Sequence, residues 1–170
     1  MHDPASGEPR TSNVGDFLRT FRELNSLSSG RVGYAAVECT DGSRWNDACR
    51  RAALQGEALR DELLDIVIRT GTPLGRLTAA ALLARFDRAA GRDAFNQLTR
   101  SDGSVYNAVG CCVMTYRVAD IAKQILASGV LTIDPAPVVL QYALDDIVRC
   151  RVQNLVGERV SAWEGGSSPA

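Results

Sequence analysis

His2 is the single histidine of the chain, and it lies in a stretch of Asp, Pro, Ser, Gly and Glu. Such a composition predicts a disordered tail over residues 1–12, where an imidazole cannot be held beside a nucleophile or a metal. Ser–His–Asp chemistry, Cys–His chemistry and His-rich zinc sites are therefore excluded. The five cysteines are Cys39, Cys49, Cys111, Cys112 and Cys150. Their number is odd, two are adjacent, and no C-x-x-C occurs, which fits reduced thiols in a cytoplasm better than a disulfide scaffold. Small apolar packing is the ordinary role for such residues, with a reactive thiol as the alternative. The carboxylates cluster at Asp61, Glu62 and Asp65 and again at Asp145 and Asp146. Each group falls on the polar side of an amphipathic segment with arginines near it, so it reads as solvated helix surface and not as an acid–base pair. Gly71-Thr72-Pro73-Leu74-Gly75 lacks the G-K-[ST] ending of a phosphate loop. The expectation is no enzyme, no cofactor and no metal.

The remaining candidates suit recognition. Trp45, Asn46, Arg50, Arg76 and Asn107 combine aromatic, amide and guanidinium groups, the types that dominate binding hot spots. They meet only if the elements that carry them repeat. Residues 30–46, GRVGYAAVECTDGSRWN, align without a gap with residues 91–107, GRDAFNQLTRSDGSVYN. Gly30-Arg31, Asp41-Gly42-Ser43 and Asn46 are identical in the second copy, and Trp45 aligns with Tyr106. Residues 60–76 lie between them with matching apolar positions. The spacing predicts a period of about thirty residues.

Each unit reads as two helices. Leu59, Leu63, Ile66 and Val67 form one apolar stripe, and Leu74, Leu77, Thr78, Leu82 and Phe86 form the next. Thr72 is placed to cap the second helix and Pro73 to occupy its first turn. In the third unit Phe95 and Leu98 mark the first helix. Val105, Val109, Cys112, Val113 and Tyr116 mark the second. Residues 31–39 are rich enough in Val and Tyr for a strand, but the alignment places them as a first helix. Residues 14–27 form an amphipathic capping helix, and residues 136–162 the second helix of a fourth pair plus a closing extension.

The chain thus resembles the HEAT-repeat proteins, in particular the short bacterial type. The resemblance rests on Asp41 and Asp102 at the turns, Leu74 and Val105 at the hydrophobic position, Ala48, Thr78 and Val109 at the small position, and Ala52, Leu82 and Val113 at the Leu position. The family's arginine is replaced by Trp45, Gly75 and Tyr106. The resemblance implies an all-α, armadillo-like α-α superhelix with capping helices at both ends. A single domain would span residues 13–163, with units near 30–60, 61–91, 92–122 and 123–150 and a disordered tail at 164–170. Second helices would line a concave face, stacking Asn46, Arg76 and Asn107 in one ladder and Trp45, Gly75 and Tyr106 in another. Trp45 and Tyr106 then have two readings, an exposed anchor or packing over the turn of a neighbouring unit. An ordinary helical bundle is the competing architecture.

Charge and hydropathy narrow the partners. A net charge of −1 excludes a strongly basic nucleic-acid binder and an acidic disordered chain. No apolar run reaches the ~18–20 residues of a membrane span, and no secretory leader opens the sequence. Lys123 is the single lysine among 19 basic residues, a bias that fits a GC-rich bacterial genome. The function expected is a non-enzymatic, cytoplasmic protein-binding module of the adaptor, regulatory or immunity type. The alternative is a nucleic-acid-binding or base-excising enzyme on the same scaffold, which would draw on Trp45, Arg50, Arg76 and Arg85.

Overall fold

The computed structural model describes residues 14–28, 30–32, 37–109 and 112–131. Six α-helices and two β-hairpin ladders follow one another in it. They are α1 (Val14–Glu23), β1 (Gly30–Val32), β2 (Val37–Cys39), α2 (Asp41–Gln55), α3 (Arg60–Asp65), α4 (Pro73–Phe86), α5 (Arg88–Leu98), β3 (Ser104–Val109), β4 (Cys112–Arg117) and α6 (Val118–Ser128). A 3-10 turn at Gly56–Leu59 leads into α3, and a π turn at Ile66–Thr70 ends it.

Helix α4 is the axis of the packing. Every residue from Leu74 to Ala84 except half-buried Arg76 is buried. A helix apolar on all sides must be enclosed on all sides, and α1, α3 and α5 pack around it. Thr72 caps it by accepting a hydrogen bond from the Gly75 N–H at 3.0 Å, and Pro73 occupies the first turn. Asp87 stops the helix and caps the next, its carboxylate accepting from the Ala90 N–H at 2.9 Å. Small residues set how closely the neighbours approach. A Cβ on Gly75 would stand 1.8 Å from the Phe21 carbonyl oxygen of α1, and one on Gly91 would stand 2.4 Å from Ala84 Cβ. Helix α1 contributes Phe17, Leu18 and Phe21 to the core, one face of a 3.6-residue period. Helix α6 ends at Gly129, whose φ of 69° is the left-handed conformation that glycine adopts without a Cβ penalty.

Two expected helices are strands. Residues 31–39 were expected to form a first helix, but β1 and β2 pair antiparallel there, with Gly30 opposite Cys39 and Val32 opposite Val37. Residues 104–117 were expected to form a second helix, but β3 and β4 pair over their full length, from Ser104 opposite Arg117 to Val109 opposite Cys112. Both stretches are rich in Val, Tyr, Thr and Cys, whose side chains fit a pleated surface. The second does alternate: Val105, Asn107 and Tyr116 are buried, while Tyr106, Val113 and Thr115 are exposed. Asn107 on the inner face and Val113 on the outer face disguise the period of two.

The chain is predominantly helical, and the aligned copies differ in local structure. Asp41-Gly42-Ser43 opens a helix, whereas Asp102-Gly103-Ser104 leads into a strand. Residues 92–122 therefore do not repeat a helical hairpin. Phe95 is buried and Leu64 half-buried, while Tyr34 lies outside the described residues. So do the tails, Cys111, Cys150 and the helix and closing extension expected at 136–162.

Candidate partner-binding site

The five residues expected to share a face occupy different settings. Trp45 has no exposure and packs edge-on against Phe21, with ring centroids 5.1 Å apart. It is a core residue, not an exposed anchor. Position 45 follows one turn behind the buried stripe of Ala48, Cys49 and Ala52, and a large indole there fills the gap between α1 and α2. Among the described residues its Nε1–H has no hydrogen-bond partner. Asn46 and Arg50 lie on the exposed side of α2. Arg76 is half-buried and donates from Nε to the Val67 carbonyl at 2.6 Å, closing the π turn. Asn107 is 7% exposed and sits on β3. The ladder of Asn46, Arg76 and Asn107 required a helix at 107, and the strand there removes it.

The structure draws attention instead to the β3–β4 hairpin. Its inner face, Val105 and Tyr116 foremost, joins the core, and β3 packs on α4. Its outer face carries Tyr106, 48% exposed, and Val113, 69% exposed. Tyr106 pairs with Thr115 and Val113 with Ala108, so the two apolar groups are diagonal neighbours. Tyr106 and Trp45 align in the sequence, and of that pair only Tyr106 reaches the surface.

The segment after α1 holds this hairpin in place. Asn25 Nδ2 donates to the Ser104 carbonyl at 2.8 Å, and Asn25 Oδ1 accepts from the Leu74 N–H at 3.0 Å. One amide thus ties the start of β3 to the start of α4. Tyr106 N–H donates to the Asn25 carbonyl at 3.2 Å, the Leu27 N–H donates to the Tyr106 carbonyl at 3.1 Å, and the Ala108 N–H donates to Ser28 Oγ at 2.8 Å. Residues 25–28 therefore cover the outer edge of β3. Asn25 carries no motif that sequence reasoning could single out, because its partners are 49 and 79 residues away.

Beyond Arg117 the strand runs directly into α6. Here Arg100, Arg117 and Lys123 line a cavity of about 200 Å³ together with Asp102 and Asp120. Among the described residues none of these five forms an ion pair. A second shallow cavity of about 230 Å³ lies between α1 and α2 and mixes Asp16 and Asp47 with Arg44 and Arg51.

Asp65, Asp87 and Cys49 serve the structure. Asp65 is held below the ordinary carboxylate range by the Thr70 hydroxyl, then by Arg69 and Arg22. Asp87 is held low by the Ala90 N–H and by Arg60, which bridges from the start of α3. Burial pushes the Cys49 thiol far up, so it stays neutral. Among the described residues no group of three or more His, Cys, Asp or Glu could hold a metal ion. No described helix is long and apolar enough to cross a membrane.

No protein-family model, no curated protein and no solved structure matches the chain.

Proposed function

We propose that this chain is a non-enzymatic protein-binding module and that its working surface is the outer face of the β3–β4 hairpin. The observation that carries this reading is the exposure of Tyr106 and Val113 side by side on a ladder whose inner face is anchored in the core. Burying a valine side chain is worth about 1.5–3 kcal/mol, so leaving one open to water forgoes stability that a partner can recover. A tyrosine with an apolar body and a polar tip suits such a contact. The mixed charge of the adjoining cavity favours a protein over the continuous positive groove that a nucleic acid needs.

The finer reading, a HEAT-like adaptor, regulator or immunity-type protein of a bacterial cytoplasm, belongs to the same proposal. It draws support from the α3–α4 and α4–α5 helix pairs and from the unpaired thiols of Cys39 and Cys49.

The test is site-specific photocrosslinking in the native host. A photoreactive side chain at position 113 should capture a discrete protein that the same group at exposed Asn96 does not. Tyr106→Ala should weaken that capture by more than about 1 kcal/mol of binding, the threshold for a contributing residue. Equal adducts at both positions, or an unaffected Tyr106→Ala variant, would place the working surface elsewhere.

A further inference from the structure

We infer that β4 takes up an extended, acidic segment of the partner as an added antiparallel strand. The inference rests on the proposed binding role of the hairpin and specifies how it binds and what it selects.

The hydrogen bonds of β3 determine which way the groups of β4 point. Tyr106 uses both its N–H and its carbonyl on residues 25–27, away from β4, and the Ala108 N–H is spent on Ser28. In an antiparallel ladder such residues belong to non-hydrogen-bonded pairs, and their opposite numbers also turn their backbone outward. Tyr106 is opposite Thr115 and Ala108 is opposite Val113. The N–H and carbonyl groups of Val113 and Thr115 therefore point away from β3, to the outer edge of β4. Among the described residues no backbone group pairs with them. The edge of β3 is covered by residues 25–28, and among the described residues none covers the edge of β4.

An open edge with exposed apolar side chains is a template for another strand. The side chains say which one. Val113, Thr115 and Arg117 alternate on the outer face and all three are exposed. Arg117 also lines the cavity that holds Arg100 and Lys123, so three cations there face two carboxylates, Asp102 and Asp120. The apolar end of the strand thus passes into a locally positive end. An antiparallel segment runs in the opposite direction, so its outer face should present Glu, then Thr, then Val at alternate positions. Glu then meets Arg117, and Val meets Val113. Antiparallel pairing is the stabler choice per residue.

The probe is a fluorescent nine-residue peptide presenting Glu, Thr and Val at alternate positions, with serine between them, measured by anisotropy against the full chain. Thr115→Pro removes one outward N–H and leaves the β3–β4 ladder bonds in place, because Thr115 donates nothing to β3. It should weaken binding about tenfold or more, the effect of a lost edge hydrogen bond together with the geometry it fixes. Arg117→Glu should weaken binding by about tenfold as well, and a Lys-for-Glu peptide should bind the parent about tenfold more weakly. Thr115→Val, which keeps the N–H, should bind as the parent does. If Thr115→Pro loses its circular dichroism signal, a peptide N-methylated opposite Thr115 asks the same question of the intact protein.

Three results overturn the inference. The first is no binding of the Glu-Thr-Val peptide to the parent at about 1 mM, the weak limit of specific recognition. The second is an N-methylated peptide and a folded Thr115→Pro variant that both bind normally while Val113→Ser does not. That outcome leaves the binding face standing without strand addition. The third is a dimer in sedimentation equilibrium that Thr115→Pro dissociates and the peptide does not, which makes a second copy of the chain the occupant.

Discussion

Substituting Gly75 with alanine should destabilise the protein, although alanine is the better helix former. On an open helix surface the exchange gains about 1 kcal/mol. Here the new Cβ stands 1.8 Å from the Phe21 carbonyl oxygen and 2.7 Å from its carbon. Real contacts of this kind are essentially never shorter than 3.0 Å, so α1 must lift by more than an ångström. The obstacle is backbone and cannot rotate aside. The lift also stretches two hydrogen bonds that end on the same oxygen, from the Thr72 N–H and from Thr72 Oγ1, both 3.1 Å. Overpacking costs about 1–3 kcal/mol and each weakened hydrogen bond about 0.5–1.5 kcal/mol. Against the propensity gain, the net loss is about 1–5 kcal/mol. For a chain of this size that corresponds to roughly 2–20 °C in Tm. Urea titration followed by circular dichroism at 222 nm measures it directly. A Gly75→Ala variant as stable as the parent would show that α1 does not seat on α4 through this glycine, and the geometry of the central helix would be wrong.

Trp45→Ala should cost about 3–5 kcal/mol, the price of emptying a large core site; a loss below about 1 kcal/mol in the same titration would contradict its burial. Asn25→Ala leaves the Leu74 N–H and the Ser104 carbonyl without their partner and should cost about 1–3 kcal/mol; amide exchange in β3 should accelerate, and unchanged protection would refute the tether. Asp65 and Asp87 have lowered pKa values, so their contribution is complete above the ordinary carboxylate pKa and lost as pH falls through their folded values. Asp65→Asn and Asp87→Asn should each flatten the acid limb of the stability profile at low salt, and unchanged limbs would contradict the pairing. Cys49 has the opposite shift, so stability should decline as pH rises above the ordinary thiol value near 9, where only the unfolded chain ionises. Peptide mapping after alkylation at pH 8 should show Cys39 modified and Cys49 protected until the chain unfolds.

Local signals in the sequence were sufficient for the helices that surround the core. The Thr72-Pro73 pair and Gly129 act within one turn of the helix end they define, and their geometry depends on neighbours three or four residues away. The stripe of Phe17, Leu18 and Phe21 is local in the same sense. What tertiary structure decided lies in residues whose partners are distant. Trp45 and Tyr106 align in sequence, yet one fills the space beside Phe21 and the other faces water, because one stands on a helix over α1 and the other on a strand. Residues 104–117 carry Asn107 and Val113 against their own alternation. Their strand geometry is set by pairing with each other and by residues 25–28, some 80 positions earlier. A one-dimensional pattern records which side chains prefer the interior. It does not record which edge another segment will cover, and residues 25–28 cover that of β3 while no described residue pairs with the outer edge of β4.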